Sequence, residues 1–352
     1  MAVFNLKARP AQPAPDDAAR RRRGLACALA LLLVLGLLAG LASGSDGFSP
    51  GALFEDLAGG QAALIVGEIR LPRTVGAALV GALLGLGGAL AQGLFRNPLA
   101  DPYLLGSSAG AGLSVVAVLA AASVGGASVS MATVAWLERV GMVVAAFVGA
   151  LGGAALTLSL ARGALHTTRL LLGGVVVSVL LGAGTDLLTV ISPEALRGRQ
   201  AFILGSTSFL SLSSLPVLGL GLALLLAIAL RRARALDALT LGEDSAASLG
   251  LDLARVRLVM VAVMSLGTAL AVSQAGLVAF VGLVAPHLVR RHAPGAHRWM
   301  LAASAAMGAV LLLLADVIAR AAIAPEELPV GVVTAVLGGL YLFALLRRRG
   351  LS

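Results

Sequence analysis

The chain has 352 residues, of which 59% are hydrophobic and 12% are charged, and its mean hydropathy is +0.99. These values lie far outside the range of soluble globular domains, so lipid is the solvent for most of the chain. The formal net charge is +9. A positive charge of this size is also typical of nucleic-acid-binding proteins, and the positions of the basic residues along the chain decide between the two interpretations.

Apolar stretches of about the 20 residues that a spanning helix needs recur along the sequence. The first follows Arg20 to Arg23 and exceeds the hydrophobic region of a signal peptide, so we interpret it as a retained span. Residues 1–23 are predicted to be a disordered cytoplasmic tail. The predicted spans lie near 24–42, 71–93, 103–124, 140–160, 170–191, 215–230, 256–273, 276–289, 299–319 and 330–346. The sequence therefore predicts an all-α, polytopic membrane protein in which residues 24–349 form one transmembrane domain of about ten helices.

Only Ser273, Gln274 and Ala275 separate the seventh span from the eighth, so this stretch is either a tight hairpin or one irregular element. With a hairpin and an internal N-terminus, 20 of the 26 basic residues fall on the inner side of the membrane. The remaining six lie outside: Arg70, Arg73, Arg139, Arg197, Arg199 and Arg320. This asymmetry is typical of a multi-pass protein with both termini in the cytoplasm. It accounts for the positive charge, so we expect membrane lipid and no nucleic acid as a partner.

No pattern in the sequence indicates catalysis or a bound cofactor. The only lysine is Lys7, in the tail, so the chain lacks the lysine of a phosphate-binding Walker loop. The four histidines form neither an HExxH motif nor a Cys/His cluster. We therefore expect no metal site, no cofactor and no enzymatic activity, and the chain is interpreted as a conduit.

Carboxylates inside a membrane often belong to ion-coupled transporters, so Asp186 and Asp316 favour a secondary transporter as the alternative function. Asp316 precedes Arg320 by four residues, the spacing of a local ion pair on a helix. Asp186 is predicted to form a hydrogen bond between helices. These local roles argue against proton coupling.

Several longer motifs carry more specific information. RLPR at 70–73 leads into FRNPLADP at 95–102, and LGEDSAASLG at 241–250 predicts a short helix in the longest inner loop. Asp244 or Ser245 is expected to cap that helix, and Gly250 to end it. The later motifs are GLVAFVGLVAPH, LLLLADVIAR and ELPVGVVTAVLGG.

In order and spacing, these motifs resemble the FecCD family, the permeases of importers for iron siderophores, haem and vitamin B12. The resemblance extends from about residue 55 to residue 349. It implies a permease subunit of the bacterial inner membrane that pairs around a channel, with two cytoplasmic ATPase subunits below and a periplasmic binding protein outside. ATP hydrolysis is then a property of the ATPases.

The resemblance also implies roles for individual residues. Arg70, Arg73 and Arg320 match arginines that dock the binding protein, although snorkelling to lipid phosphates is the alternative. The ATPase-coupling element, within a loop at about 236–254, matches Leu241, Gly242, Glu243, Asp244, Ser245, Ala246, Leu249 and Gly250. The cytoplasmic gate matches Asn97, Leu99, Thr167 and Thr168, whose polar members are alternatively helix caps.

The permease unit occurs once in this chain, so two chains must assemble, and we expect a homodimer. No motif encodes the cargo. Because iron chelates are the commonest cargo in the family, we expect haem or a ferric siderophore before cobalamin.

Overall fold

A computed structural model of the chain describes residues 15–44, 47–48, 64–124, 131–161, 163 and 167–349. A short hairpin joins strand β1 (Ser43–Gly44) to β2 (Gly47–Phe48), and the described regular structure is otherwise helical apart from one isolated bridge. The helices are α1 (Pro15–Ala42), α2 (Leu71–Phe95), α3 (Ser107–Val124), α4 (Met131–Leu160), α5 (Thr167–Ile191), α6 (Pro193–Leu204), α7 (Ser214–Thr240), α8 (Glu243–Ser248), α9 (Leu253–Ala275), α10 (Val281–His292), α11 (His297–Ala321) and α12 (Val330–Arg349). A π-helical turn, Val66–Arg70, precedes α2, and a 3-10 turn, Pro102–Leu105, precedes α3. The predicted all-α class is confirmed.

Helices occupy all ten predicted spans, but their lengths differ from the prediction. Within the described ranges, eight helices are long and apolar enough to cross a membrane: α1, α2 with its π-helical turn, α4, α5, α7, α9, α11 and α12. Helix α10 has 12 residues, or roughly 18 Å at 1.5 Å per residue, which is shorter than a hydrocarbon core of about 30 Å. The fold is therefore a polytopic helical bundle that includes one half-length element.

The N-terminal prediction needs correction. Helix α1 begins at Pro15, so residues 15–23 are helical and are not part of a disordered tail, while residues 1–14 lie outside the described part of the chain. Pro15 suits the first helical position. Asp16 and Asp17 lie in the first turn, where carboxylates favour the positive end of the helix dipole.

The stretch between the seventh and eighth predicted spans is a hairpin with an extended return. Helix α9 ends at Ala275, and Gly276 adopts a positive φ of 67°. Residues 276–280 then run without helix until α10 begins. The backbone N–H of Leu277 donates to the Phe202 carbonyl at 2.8 Å. This bond ties the return to α6. The sequence analysis did not predict α6, because this helix lies between two predicted spans and is not itself an apolar run.

Helix α2 lies at the centre of the bundle and is buried along almost its whole length. It packs most closely on α11, where a Cβ on Gly81 would overlap the Gly308 carbonyl and one on Gly85 would overlap the Ser304 carbonyl. Small residues four apart let these backbones approach closely. The start of α2 thereby lies beside the end of α11.

The antiparallel helices place the connections at two ends of the bundle. We call one the α8 end, which holds α8 and the connections 96–101 and 293–296. The other is the β-hairpin end, which holds the two strands and the connections 205–213 and 322–329.

Candidate functional site

Two of the three arginines predicted to dock a partner lie together inside the β-hairpin end. Arg73, near the start of α2, is 8% exposed, and Arg320, near the end of α11, is 2% exposed. They surround the fully buried carboxylate of Asp316. We call Arg73, Arg320, Asp316, Glu327 and Thr207 the buried charge network.

Arg73 connects α2 to two carboxylates of the network. Its Nε donates to Asp316 Oδ1 at 3.2 Å. Its Nη1 donates to both carboxylate oxygens of Glu327, at 2.9 and 2.8 Å. Because Glu327 lies in the connection before α12, this arginine ties that connection to the core of the bundle.

Arg320 is enclosed by backbone and side-chain acceptors. Its Nη2 donates to Asp316 Oδ2 and to Thr74 Oγ1, the latter at 3.3 Å. Its Nη1 donates to the carbonyls of Gly40 at 3.0 Å and Ser43 at 3.4 Å. The predicted local pair between Asp316 and Arg320 is therefore confirmed. The side chain also fastens the end of α1, so in this conformation it presents no donor to the surface.

The network balances its charges, since two guanidinium groups face two carboxylates. The hydroxyl of Thr207 donates a further hydrogen bond to Asp316 Oδ1. Buried ions are tolerated when each has a partner and the remaining lone pairs are hydrogen-bonded, and removal of one partner leaves an uncompensated charge. The geometry therefore assigns this cluster a structural role in joining α1, α2 and α11.

Arg70, the third predicted docking residue, lies at the end of the π-helical turn and is partly exposed. Its Nη1 donates to the Leu41 carbonyl at 3.2 Å. Among these three arginines it is the least buried. The prediction that they form a docking surface therefore fits Arg70 best. Arg73 lies near the surface only where it contacts Glu327, and the Glu327 side chain is 30% exposed.

The carboxylates of the alternative, ion-coupled function have different surroundings. Asp186 of α5 is 61% exposed and pairs with Arg199 of α6 at 2.7 Å, so the predicted contact between helices is an ion pair. Asp316 is enclosed by two arginines, and both form ion pairs with its carboxylate. Neither arrangement resembles a carboxyl poised to exchange protons with a channel.

The predicted coupling segment forms a six-residue helix, α8, at the α8 end of the bundle. Ala246 is fully buried, whereas Leu241 is 69% and Leu249 is 65% exposed. Gly242, with φ of +115°, occupies the N-cap position, so the capping role predicted for Asp244 or Ser245 is wrong. Gly250, with φ of +78°, follows the last turn, as predicted. A short helix anchored on one alanine thus presents two leucines and the exposed side chains of Asp244 and Ser245.

The predicted gate residues lie at the same end. The Oδ1 of Asn97 accepts a hydrogen bond from the backbone N–H of Leu99 at 2.9 Å, and Leu99 is 53% exposed. Thr167 and Thr168 are the first two residues of α5. Asn97 thus forms a local turn contact within the connection and does not cap a helix there, and its role in gating stays a prediction.

A neighbouring carboxyl in the same connection is perturbed. Asp101 accepts a hydrogen bond from the Tyr103 backbone N–H at 2.8 Å. Desolvation raises the pKa of Asp101 from 3.8 to about 6, and the hydrogen bond opposes that rise. The connection between α2 and α3 therefore contains a carboxyl that no arginine neutralises within the described structure.

Sequence reasoning missed two members of the network. Glu327 is one of two adjacent acidic residues in a connection that separates two apolar helices, and that isolation was an available signal. Thr207 offered none, because a threonine in a serine-rich loop has no distinguishing pattern. Arg199 had been counted only as an outer charge.

A helical bundle in which eight of the described helices are long and apolar enough to cross a membrane defines the class of multi-pass membrane proteins. A model of the FecCD transport family matches residues 31–348. The chain belongs to this family. It is a permease of the ABC-importer class and a multi-pass protein of the inner (plasma) membrane.

Individual relatives agree with this assignment. The chain is 39% identical to the hemin transport system permease protein of Yersinia pestis, over 80% of this chain and 83% of the relative. It is 39% identical to the vitamin B12 import system permease protein of Escherichia coli, over 93% and 96%. A solved metal-chelate type ABC transporter in an inward-facing conformation superposes with a TM-score of 0.79 at 27% identity, covering 91% of this chain and 98% of that one.

Proposed function

We propose that this chain moves a metal chelate into the cell as the channel-forming part of an ABC importer, driven by a separate ATPase. The cargo is an iron chelate, either haem or a ferric siderophore, with cobalamin as the alternative. The observation that carries the proposal is the family match along nearly the whole chain, and the relatives named for hemin and vitamin B12 support it.

We propose ten membrane crossings, with both termini and the α8 end in the cytoplasm. The exposed arginines near the start of α1 and at the end of α7 support this orientation, since basic residues concentrate on the inner side. In this arrangement residues 276–280 and α10 together make the eighth crossing. A non-helical segment inside a membrane is tolerated where it is packed against protein. Two hydrogen bonds of the segment support such packing: the Leu277 N–H donates to the Phe202 carbonyl, and the Tyr103 hydroxyl donates to the Val278 carbonyl.

The binding protein is proposed to dock at the β-hairpin end through Arg70 and the exposed edge of Arg73. Arg320 then acts as a positioning residue, because it holds Asp316, which in turn holds Arg73. Direct contact between Arg320 and a partner would require its guanidinium to leave Asp316.

Two ATPase subunits are proposed to bind at α8, one to each permease copy. Leu241 and Leu249 offer apolar contact area on a helix whose Ala246 is packed against the bundle. A rigid contact of this kind can transmit closure of the ATPases to the permease. Asn97, Leu99, Thr167 and Thr168 are proposed to line the gate at the same end.

A second copy of this chain is proposed as the partner that completes the channel. Large apolar side chains project from α5 and α12 in the single chain, among them Leu180 at 66%, Val190 at 84% and Leu340 at 62% exposure. Lipid or a second subunit must cover them. The single permease unit in the sequence supports a pair of subunits, and we propose two identical copies over a pair of different subunits.

The proposal is tested by uptake into proteoliposomes that contain this chain, its ATPase and a binding protein loaded in turn with haem, a ferric siderophore or cobalamin. We expect ATP-dependent uptake of one cargo that is lost in Arg70→Glu. Arg197→Glu is the matched control, because Arg197 is an exposed arginine assigned to the same side. Uptake that a proton gradient drives without ATP would instead establish the secondary transporter.

A further inference from the structure

A second charged region lies at the α8 end, away from every residue assigned to docking. A cavity of about 430 Å³ opens between the end of α2, the end of α7, the end of α10 and the start of α11. Arg96, Arg290, Thr240 and His297 contribute polar groups to its wall. We call this cavity the inner basic pocket.

The guanidinium groups of the two arginines of the pocket have no counter-ion among the residues that the structure describes. Neither the Arg96 nor the Arg290 side chain makes a hydrogen bond or an ion pair within that part of the chain. The neighbouring carboxylate of Asp237 is committed to His297, whose Nδ1 and backbone N–H both lie within hydrogen-bond distance of Asp237 Oδ1, at 2.7 and 2.9 Å. The pocket is therefore a concave site with an excess of positive charge.

The backbone at Arg96 reinforces this interpretation. Arg96 ends α2 with φ of +49°, in the left-handed region that glycine occupies most readily. An arginine at such a position adopts an unfavourable conformation without gaining an internal ion pair. Its guanidinium is instead available to an external group at the rim of the pocket.

The wall also offers a buried acceptor. Gln92 is 2% exposed and lines the pocket. Its Nε2 donates to the Leu283 carbonyl at 3.0 Å, whereas its Oε1 is buried and has no partner among the described residues. A ligand that carries a hydroxyl beside its negative charge would satisfy this oxygen.

The surroundings of the pocket belong to a membrane interface. Trp299, whose Nε1 donates to the Ala293 carbonyl at 2.8 Å, and Arg22 of α1 both lie against Gly295 in the wall of the pocket. Tryptophan and arginine are residues that favour the headgroup region. Further along α1, Leu31 and Leu35 are 59% and 51% exposed, which suits contact with acyl chains.

We propose that the inner basic pocket binds a phosphate group, supplied in the membrane by the headgroup of an acidic phospholipid of the inner leaflet. Guanidinium groups match phosphate oxygens with two parallel hydrogen bonds, and the glycerol hydroxyls of phosphatidylglycerol are suitable donors to Gln92 Oε1. Thr240 lies three residues before α8, so the bound lipid would brace the junction between α7 and α8. The inference rests on the membrane placement of the chain and not on the proposed cargo or partners.

The test uses the full chain, purified and exchanged into phosphatidylcholine nanodiscs with or without phosphatidylglycerol. Lipid retained after extraction is counted by native mass spectrometry. We expect preferential retention of phosphatidylglycerol that falls roughly tenfold in Arg290→Gln, because hydrogen bonds between charged groups are among the strong ones. The matched control is Arg291→Gln, since Arg291 is an exposed neighbour that does not line the pocket. Arg96→Gln provides a second variant if Arg290→Gln fails to fold.

The outcomes separate the possible sources of the phosphate. Equal retention of phosphatidylglycerol in Arg290→Gln and Arg291→Gln would overturn the proposal, as would equal retention of the two lipids by the unmodified chain. Inorganic phosphate that displaces the lipid supports the phosphate chemistry. If inorganic phosphate alone stabilises the unmodified chain in phosphatidylcholine as much as the acidic lipid does, the source is free phosphate. Loss of ATPase binding in Arg290→Gln with lipid retention unchanged would reassign the pocket to a protein contact.

Discussion

The two ends of this bundle use arginine in opposite ways. At the β-hairpin end, Arg73 and Arg320 are buried and paired with Asp316 and Glu327. At the α8 end, Arg96 lines a cavity without a carboxylate partner among the described residues. A charge with an internal partner fastens helices together, whereas a charge without one is left to be satisfied from outside the chain.

The difference follows from the cost of removing ions from water. A buried guanidinium persists only where carboxylates and carbonyls replace most of its hydration. An arginine that remains partly exposed keeps water as a partner and can exchange it for a ligand. The comparison therefore predicts large stability effects for the arginines of the buried charge network and mainly binding effects for Arg96 and Arg290.

The largest effect is expected from Asp316→Asn. This substitution leaves Arg320 buried without a charged partner, so we expect the free energy of unfolding to fall by about 3–5 kcal/mol. Thermal unfolding in nanodiscs measures the loss. Asp186→Asn is the matched control, since its pair with Arg199 is exposed and is worth about 1 kcal/mol or less. Equal losses in the two variants would show that burial of the network does not matter.

The next effect concerns a carboxyl without an arginine partner, Asp101, whose pKa is raised to about 6. A raised pKa means that the folded state binds the proton more tightly than the unfolded state. The resulting stability is fully present below pH 3.8 and is lost as the pH rises through about 6. At pH 8 ionised Asp101 therefore costs about 2–3 kcal/mol.

Asp101→Asn removes this cost and keeps an acceptor for the Tyr103 N–H. We expect the variant to be more stable than the unmodified chain at pH 8, and we expect about half of that difference to disappear on acidification from pH 8 to pH 5. Melting temperatures across this range test the prediction. A pH dependence that the substitution leaves unchanged would show that groups other than Asp101 cause it.

A smaller effect is expected from Glu327→Gln, because this member of the network is 30% exposed on its side chain. Water can replace part of the lost interaction with Arg73, so the free energy of unfolding should fall by about 1 kcal/mol. The same change releases Nη1 of Arg73, and we expect tighter binding of the binding protein to immobilised permease. Weaker binding would instead make Glu327 part of the docking surface.

The smallest effect on stability is expected from Arg96→Gly. Relief of the left-handed conformation outweighs the added freedom of glycine in the unfolded chain, so we expect a gain of about 0.5 kcal/mol. Retention of phosphatidylglycerol should nevertheless fall. Arg96→Asn is the control for the added freedom of glycine, because asparagine also tolerates the left-handed conformation and also lacks the guanidinium. A variant that loses stability and keeps the lipid would contradict the assignment of Arg96 to a ligand.

Much of the fold was predictable because the relevant signal is local. Each apolar run indicates a helix without reference to the rest of the chain, and the described helices overlap all ten predicted runs. Helix α6 escaped prediction because its polar sequence carries no apolar periodicity. The short length of α10 was not predicted either. Residues 276–280 are apolar, so hydropathy does not distinguish this extended segment from the helix that follows it.

The candidate site was predictable only in part. The pattern of outer arginines selected Arg70, Arg73 and Arg320, and the spacing of Asp316 and Arg320 indicated their pair. That the pair is buried, and that it includes Arg73, depended on how α2 packs on α11. The counter-ion Glu327 lies 254 residues from Arg73 along the chain.

The sequence by itself determined that this chain is a helical membrane protein with its charges biased to one side, because hydropathy and charge add up over segments of about 20 residues. Its motifs also indicated the permease family. Only the tertiary structure decided which arginines are neutralised inside the bundle and which remain available in a pocket. The reason is physical. Arg73 and Asp316 are 243 positions apart, and they form an ion pair only when α2 and α11 pack with both side chains at the same depth in the bundle and facing each other.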